Sequence, residues 1–167
     1  MKYVFLFLII LCTIQLHAQG KYAGSMKALV GKSYADSKKI PGLKGWRFMQ
    51  GDLISPIDDV EATTVDVYVK GTTAIVLFSI KELKSAESYI IADLVEIKNM
   101  AKGWTIKTGT CREGSNDDVT LVALVKETMA ERLTNVKQAW RCNRDKRRIE
   151  AVPIKNVSCL NEGAEQF

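Results

Sequence analysis

The chain has 167 residues, 47% hydrophobic and 26% charged, with 24 Lys and Arg against 19 Asp and Glu and a formal net charge of +5. This mildly basic balance, together with an N-terminal export signal, argues against nucleic acid as a partner. The single histidine, His17, lies in the segment expected to be removed, which excludes Ser-His-Asp, Cys-His and histidine-metal chemistry from the mature protein.

Lys2 is the only charge in the first twenty residues, and it precedes an apolar run at 4–11 and a weaker one at 12–16. The run is shorter than the roughly 20 residues needed to span a bilayer, and the chain turns polar at His17-Ala18-Gln19-Gly20 with no stop-transfer pattern. Residues 1–18 therefore read as a cleaved signal peptide and 19–167 as one exported domain, periplasmic or secreted, with no transmembrane segment after cleavage. Cleavage after Gly20 is the other option. Cys12 follows Leu11 rather than a small residue, so lipidation is not expected. Removal of 1–18 leaves 23 basic against 19 acidic side chains, net +4. The remaining length of about 149 residues suits a single core that buries about 70% of the unfolded surface.

Tyr22, Met26, Leu29, Val30 and Tyr34 share a helical face, with Ser25 as a possible N-cap, and predict an N-terminal helix. Gly31-Lys32-Ser33 imitates the end of a phosphate loop, but Met26 stands where that motif needs glycine. A turn-rich connector at 38–45, around Pro41-Gly42, leads to a first strand at 46–54. Val65, Val67 and Val69 alternate with Asp66, Tyr68 and Lys70, and a turn at Lys70-Gly71 opens a second arm at 72–80. Pairing Val69 with Thr72 sets Val67 opposite Ala74 and Val65 opposite Val76.

Further strands are expected at 88–98, 104–111 and 119–126, joined by links too short for a helical crossover and hence antiparallel, as a meander. The stretches 74–80 and 119–125 are apolar on both parities, so both sheet faces must be covered there. Met129, Leu133, Val136 and Trp140 recur at helical intervals behind a Thr128-x-x-Glu131 capping box, and Lys137, Arg141 and Arg144 crowd the far end, which predicts a C-terminal helix over 128–143. The alternative is a β-hairpin with Trp140 facing Ala151 and Arg141 facing Glu150 around a loop at 144–147. In either case 148–154 reads as a late strand. The fold class expected is α+β: an antiparallel meander sheet of about six or seven strands with an N-terminal and a C-terminal helix packed on it.

The pattern Ala139-Trp140-Arg141, then Arg148-Ile149-Glu150-Ala151-Val152-Pro153-Ile154, then Cys159-Leu160-Asn161-Glu162-Gly163, resembles small exported proteins of Bacteroidota with no assigned activity. The signal ending His17-Ala18-Gln19 is similar to theirs. The resemblance spans about 35 C-terminal residues and implies a periplasmic or secreted location, and it carries over no catalytic residue.

Three mature cysteines in an oxidising compartment imply one disulfide and one free thiol. Connectivity is not fixed by sequence; Cys111 with Cys159 is favoured because each adjoins an irregular segment, which leaves Cys142 as a buried, inert thiol. Three cysteines without histidine are too few for a zinc site, neither acidic cluster matches a calcium loop, and no cofactor is implied. Asp58, Asp59 and Glu61, and Asp117 with Asp118, could carry histidine-free acid/base chemistry, but both groups sit in turns where Asp is preferred for local hydrogen bonds. Trp46, Trp104 and Trp140 lie on apolar-patterned faces and read as core.

The densest charge feature is Arg144-Asp145-Lys146-Arg147-Arg148 with Arg141 nearby. Arg141, Arg144, Lys146, Arg147 and Arg148 are the candidate binding residues, for an acidic protein or an anionic envelope glycan. The function expected is thus a non-catalytic exported binding domain. The alternatives are a carboxylate hydrolase acting on envelope glycans and a purely structural envelope protein.

Overall fold

The computed structural model describes residues 26–55, 61–82 and 88–164. The signal segment, Tyr22, Ser25, Asp58 and Asp59 lie outside them. The described residues carry strands numbered here along the chain. The first sheet holds β1 (Ser33–Tyr34), β2 (Arg47–Leu53), β3 (Glu61–Lys70), β4 (Thr73–Glu82) and β5 (Tyr89–Ile97), in the order β1-β5-β4-β3-β2. The second holds β6 (Trp104–Thr108), β9 (Leu121–Lys126), β11 (Val136–Asn143) and β12 (Arg148–Val152), in the order β12-β11-β9-β6. The third is small: β7 (Cys111–Glu113), β8 (Asn116–Asp117), β10 (Arg132–Leu133) and β13 (Val157–Leu160), in the order β10-β13-β7-β8. All pairings are antiparallel.

These sheets stack as layers because the first two are apolar on both faces. Val65, Val67, Val76, Phe78 and Val95 of the first sheet meet Ile106, Val122, Leu124, Trp140 and Cys142 of the second. The reverse face of the first sheet, with Tyr68, Ile75, Leu77, Ile91 and Leu94, is covered by Leu29, Tyr34, Ile40 and Leu43 of the N-terminal segment. The reverse face of the second, with Leu121, Ala123 and Val125, is covered by Leu133, Val157 and the cysteines of the third sheet. At one edge, Asp93 of β5 accepts hydrogen bonds from its neighbour Leu94 N (2.9 Å) and from Ile149 N of β12 (2.7 Å), tying the two large sheets together.

The α+β expectation is overturned: the described residues form almost only strands, and neither the N-terminal nor the C-terminal helix is present. Among the described residues of the N-terminal segment only the 3-10 turns Lys27–Leu29 and Ser37–Lys39 are helical. Met26, Leu29 and Tyr34 do face one surface, as their spacing implied, but that surface is the first sheet and the chain lies across it in turns. In β11 a register shift between Val136 and Gln138 inserts one residue. Val136 and Ala139 therefore face the third sheet while Trp140 and Cys142 face the first. The helical intervals thus join residues of two strands and two faces, Leu133 in β10 and Val136 and Trp140 on opposite faces of β11, which is why the run imitates a helix without forming one. Met129, the first member of the supposed helical face, is 69% exposed. Thr128 Oγ1 accepts from Ala130 N, two residues on, as in a turn rather than from the third residue of a capping box. The structure forms the hairpin instead, with Trp140 opposite Ala151 and Arg141 opposite Glu150.

The first hairpin exists, but its register differs by two residues: Lys70 pairs with Thr73 and Val69 with Ala74. The two-residue loop is Gly71-Thr72, with glycine first, an arrangement that follows strand twist. A slip of two preserves the faces, so Val65, Val67 and Val69 remain on the predicted side. The meander holds from β2 through β5 and ends there, since β6 pairs with β9 and not with β5.

Cys111 and Cys159 form a disulfide and stand directly opposite each other between β7 and β13, both buried. Cys142 is a free, buried thiol, and burial first, then the charges of Asp93 and Asp118, raise its pKa well above the ordinary thiol range. Linking residues 48 apart restricts the unfolded chain by about 4 kcal/mol in the chain-entropy account. The Cys111→Ala/Cys159→Ala variant should accordingly melt roughly 8–16 °C lower by calorimetry. Cys142→Ala should cost only about 1 kcal/mol. Equal losses in the two variants would show that the bridge is not the dominant restraint.

Candidate functional site

The hairpin that presents the candidate basic residues is neutralised by its own Glu150 and by carboxylates of neighbouring segments. Arg141 reaches Asp118 Oδ2 through Nε and Glu113 Oε2 through Nη2, each at 2.9 Å. Lys146 Nζ lies 3.0 Å from Glu150 Oε1, Arg148 Nε donates to the same oxygen at 2.7 Å, and Asn143 Nδ2 donates to Oε2 at 2.8 Å. Arg147 crosses to Glu61 of β3 at 2.6 Å, and Arg144 is not free either. Each exposed pair is worth about 0–1 kcal/mol, so these contacts matter little for stability. Their consequence is electrostatic: Glu61, Glu113, Asp118 and Glu150 offset the four cations they touch, and the run loses the strong local potential its composition suggests.

The same pairs occupy the candidate catalytic carboxylates. Glu61 is bound to Arg147, and Asp117 lies 4.0 Å from Arg132. Asp118 accepts from Thr120 N (2.9 Å), Thr120 Oγ1 (2.5 Å) and Arg141. Partial burial opposes ionisation of Asp118, but the Thr120 and Arg141 hydrogen bonds outweigh it and lower its pKa. Hydrogen bonds from Asn143, then Lys146 and Arg148, bring Glu150 down to about 2. Among the described residues no group of three or more His, Cys, Asp or Glu is placed to hold a metal ion.

The cavities lie elsewhere, along the N-terminal cover and the edge strand β2. A groove of about 280 Å³ is walled by the 37–44 loop and floored by Trp46, Phe48 and Tyr68. The loop is built from two consecutive turns closed by Leu43 N to Ile40 O (3.1 Å) and Trp46 N to Leu43 O (3.0 Å). Pro41 takes the second place of the first turn, and Gly42 and Gly45 take the third places at φ +92° and +81°, as type II turns require. The Tyr68 hydroxyl donates to Ser37 O at 2.5 Å and pins the loop to the sheet. Lys38, Lys39 and Lys44 are exposed around this groove. Lys39 pairs with Asp36 at 3.5 Å, whereas the ammonium groups of Lys38 and Lys44 form no ion pair among the described residues.

A second cleft of about 220 Å³ adjoins the first, since Ser37 and Phe48 line both. Its wall includes Asp66, 5% exposed, which accepts from the Tyr34 hydroxyl at 2.7 Å. Burial raises the pKa of Asp66, the Tyr34 hydrogen bond opposes this, and the charge of Asp52 adds to it. Tyr34 stacks on Tyr89 at 5.7 Å, and burial together with the Asp66 charge moves its phenol far above its ordinary range. Asp52 points the other way, toward the second sheet, where the Thr108 hydroxyl donates to it.

Sequence reading missed both cavities. Lys38, Lys39, Lys44 and Trp46 all fall within nine residues, a visible signal, but they lay in what read as a connector. Asp66 had no such signal, because alternation placed it on the polar side of β3 and the cover that buries that side is a tertiary feature. The tryptophans fit their reading unevenly: Trp140 is buried, while Trp46 and Trp104 are partly exposed at the margins of their cores.

No known family model matches the chain, and comparisons with curated proteins and with solved structures find no match either.

Carboxyl NMR titration should separate three environments: Glu150 titrating near 2, Asp118 below the ordinary aspartate range and Asp66 above it. A raised carboxyl pKa in the fold means stability is lost as pH climbs from the unfolded value through the folded one. Asp66→Asn should therefore raise the melting point at pH 7 and lose that advantage below about pH 4. A melting-point difference independent of pH would contradict a raised Asp66.

Proposed function

We propose that this domain is a non-catalytic exported binding module that holds an anionic envelope glycan in the groove beside β2. The observation that carries the reading is the juxtaposition of the Lys38 and Lys44 ammonium groups, in no ion pair among the described residues, with the half-buried rings of Trp46 and Phe48. Ammonium groups attract uronate or phosphate substituents, and aromatic faces pack against the apolar faces of sugar rings. The groove is a place of fixed shape, because the two turns and the Tyr68 hydrogen bond hold its loop.

Catalysis by paired carboxylates has less support, since Glu61, Asp117 and Asp118 each lie beside an arginine. The basic hairpin has less support as the main contact, because its cations already hold carboxylates. An exported location rests on the signal segment and on the C-terminal resemblance. Among the described residues no helix is long and apolar enough to cross a membrane.

Calorimetric titration with an oligogalacturonate tests this. Lys38→Glu/Lys44→Glu should weaken binding about tenfold, or about 1.4 kcal/mol. Arg147→Glu/Arg148→Glu should change it by less than about twofold, and raising salt from about 50 to about 500 mM should weaken the wild type by shortening the screening length. A larger effect of the arginine pair would return the contact to the hairpin. Equal affinity for poly-glutamate would point to an acidic protein instead.

A further inference from the structure

We infer that the cleft at Asp66 is a second subsite, one that takes an uncharged, hydroxyl-bearing sugar ring next to the anionic unit held by the lysines. This deepens the glycan reading and rests on it for its biological meaning, but its chemistry stands on separate residues.

Asp66 is held in a nearly dry wall, and only an edge strand separates it from solvent. Tyr34 donates to its Oδ2. Its Oδ1 leans toward β2, where residue 51 is its register partner, and a Cβ there would lie 2.3 Å from that oxygen and 3.1 Å from Phe48 Cζ. Gly51 is thus what allows the carboxylate and the aromatic ring to converge at the sheet edge.

Thr64 Oγ1 and Ser79 Oγ, on paired positions of β3 and β4, lie behind this point, closed to solvent and turned to the Tyr34 hydroxyl. The cleft itself offers the Asp66 carboxylate as an acceptor and an aromatic wall that includes Phe48. A neutral polyol ring answers both: its hydroxyls donate to the carboxylate, and its carbon face packs on Phe48. An anionic group would be repelled by Asp66 and Asp52 and belongs with the lysines of the adjoining groove. The volume, about 220 Å³, equals that of about seven waters at roughly 30 Å³ each, which suits one sugar ring rather than a longer segment.

The test is an amide and side-chain NMR titration of the mature protein with neutral oligosaccharides of gluco, galacto, manno and N-acetylgluco configuration. It is run in about 500 mM salt to mute the lysines. At least one sugar should shift the signals of Phe48, Thr64 and Asp66 together, and Asp66→Asn and Phe48→Leu should each weaken that sugar about tenfold or more. Both variants are close in volume to the native residue, and a thermal melt confirms that they fold. Lys38→Glu/Lys44→Glu should leave the neutral-sugar shifts in place while weakening oligogalacturonate binding about tenfold, so the two subsites fail separately. The inference is overturned if none of the four sugars moves these signals, or if Asp66→Asn binds the active sugar as well as the wild type.

Discussion

Strands β4 and β9 are apolar on both parities, so neither large sheet has a face it can leave to water. Ala74 through Phe78 are each at most 1% exposed, and Leu121 through Val125 are nearly so. Two sheets packed on each other hide only one face of each. Each outer face therefore needs its own cover, and the rest of the molecule supplies the two covers.

The covers are unlike because their materials differ. On the second sheet the cover is a set of strands two to four residues long, too short to hold together on backbone hydrogen bonds alone, and the Cys111–Cys159 bridge joins its middle strands. On the first sheet the cover is a chain of turns carrying Leu29, Tyr34, Ile40 and Leu43 inward. A turn-rich cover fits a sheet less evenly than a helix or a second sheet, and its margin is where the cavities form. The groove and the cleft both open where this segment meets the edge strand β2, with Tyr68 and Tyr34 reaching from opposite sides of the contact to hold it.

Charge follows the same geography. At the far end of the molecule the basic hairpin and its carboxylates cancel locally, through Arg141 with Glu113 and Asp118 and through Glu150 with Lys146 and Arg148. In the cover the lysines stand on turns closed by backbone hydrogen bonds, and the ammonium groups of Lys38 and Lys44 form no ion pair among the described residues. Counting charges along the chain favours the hairpin, and placing them in space favours the groove.

The sequence by itself determined the strands whose signal is local: the alternation of Val65, Val67 and Val69, the glycine turn after Lys70, and the double-sided burial of β4 and β9. It also made Cys111 and Cys159 the favoured pair and offered the Trp140–Ala151 hairpin as one of two choices. Only the tertiary structure decided between helix and strand over 128–143, because apolar residues of two strands and two faces fall there at the spacing of a helix and only the neighbours β9, β12 and β13 reveal which they are. Only it turned Asp66 from a solvent-facing alternate into a buried carboxylate, since that depends on a segment some thirty residues earlier lying across β3. Periodicity records what one strand exposes to its own two sides, and what covers those sides is settled by chain that is distant in sequence.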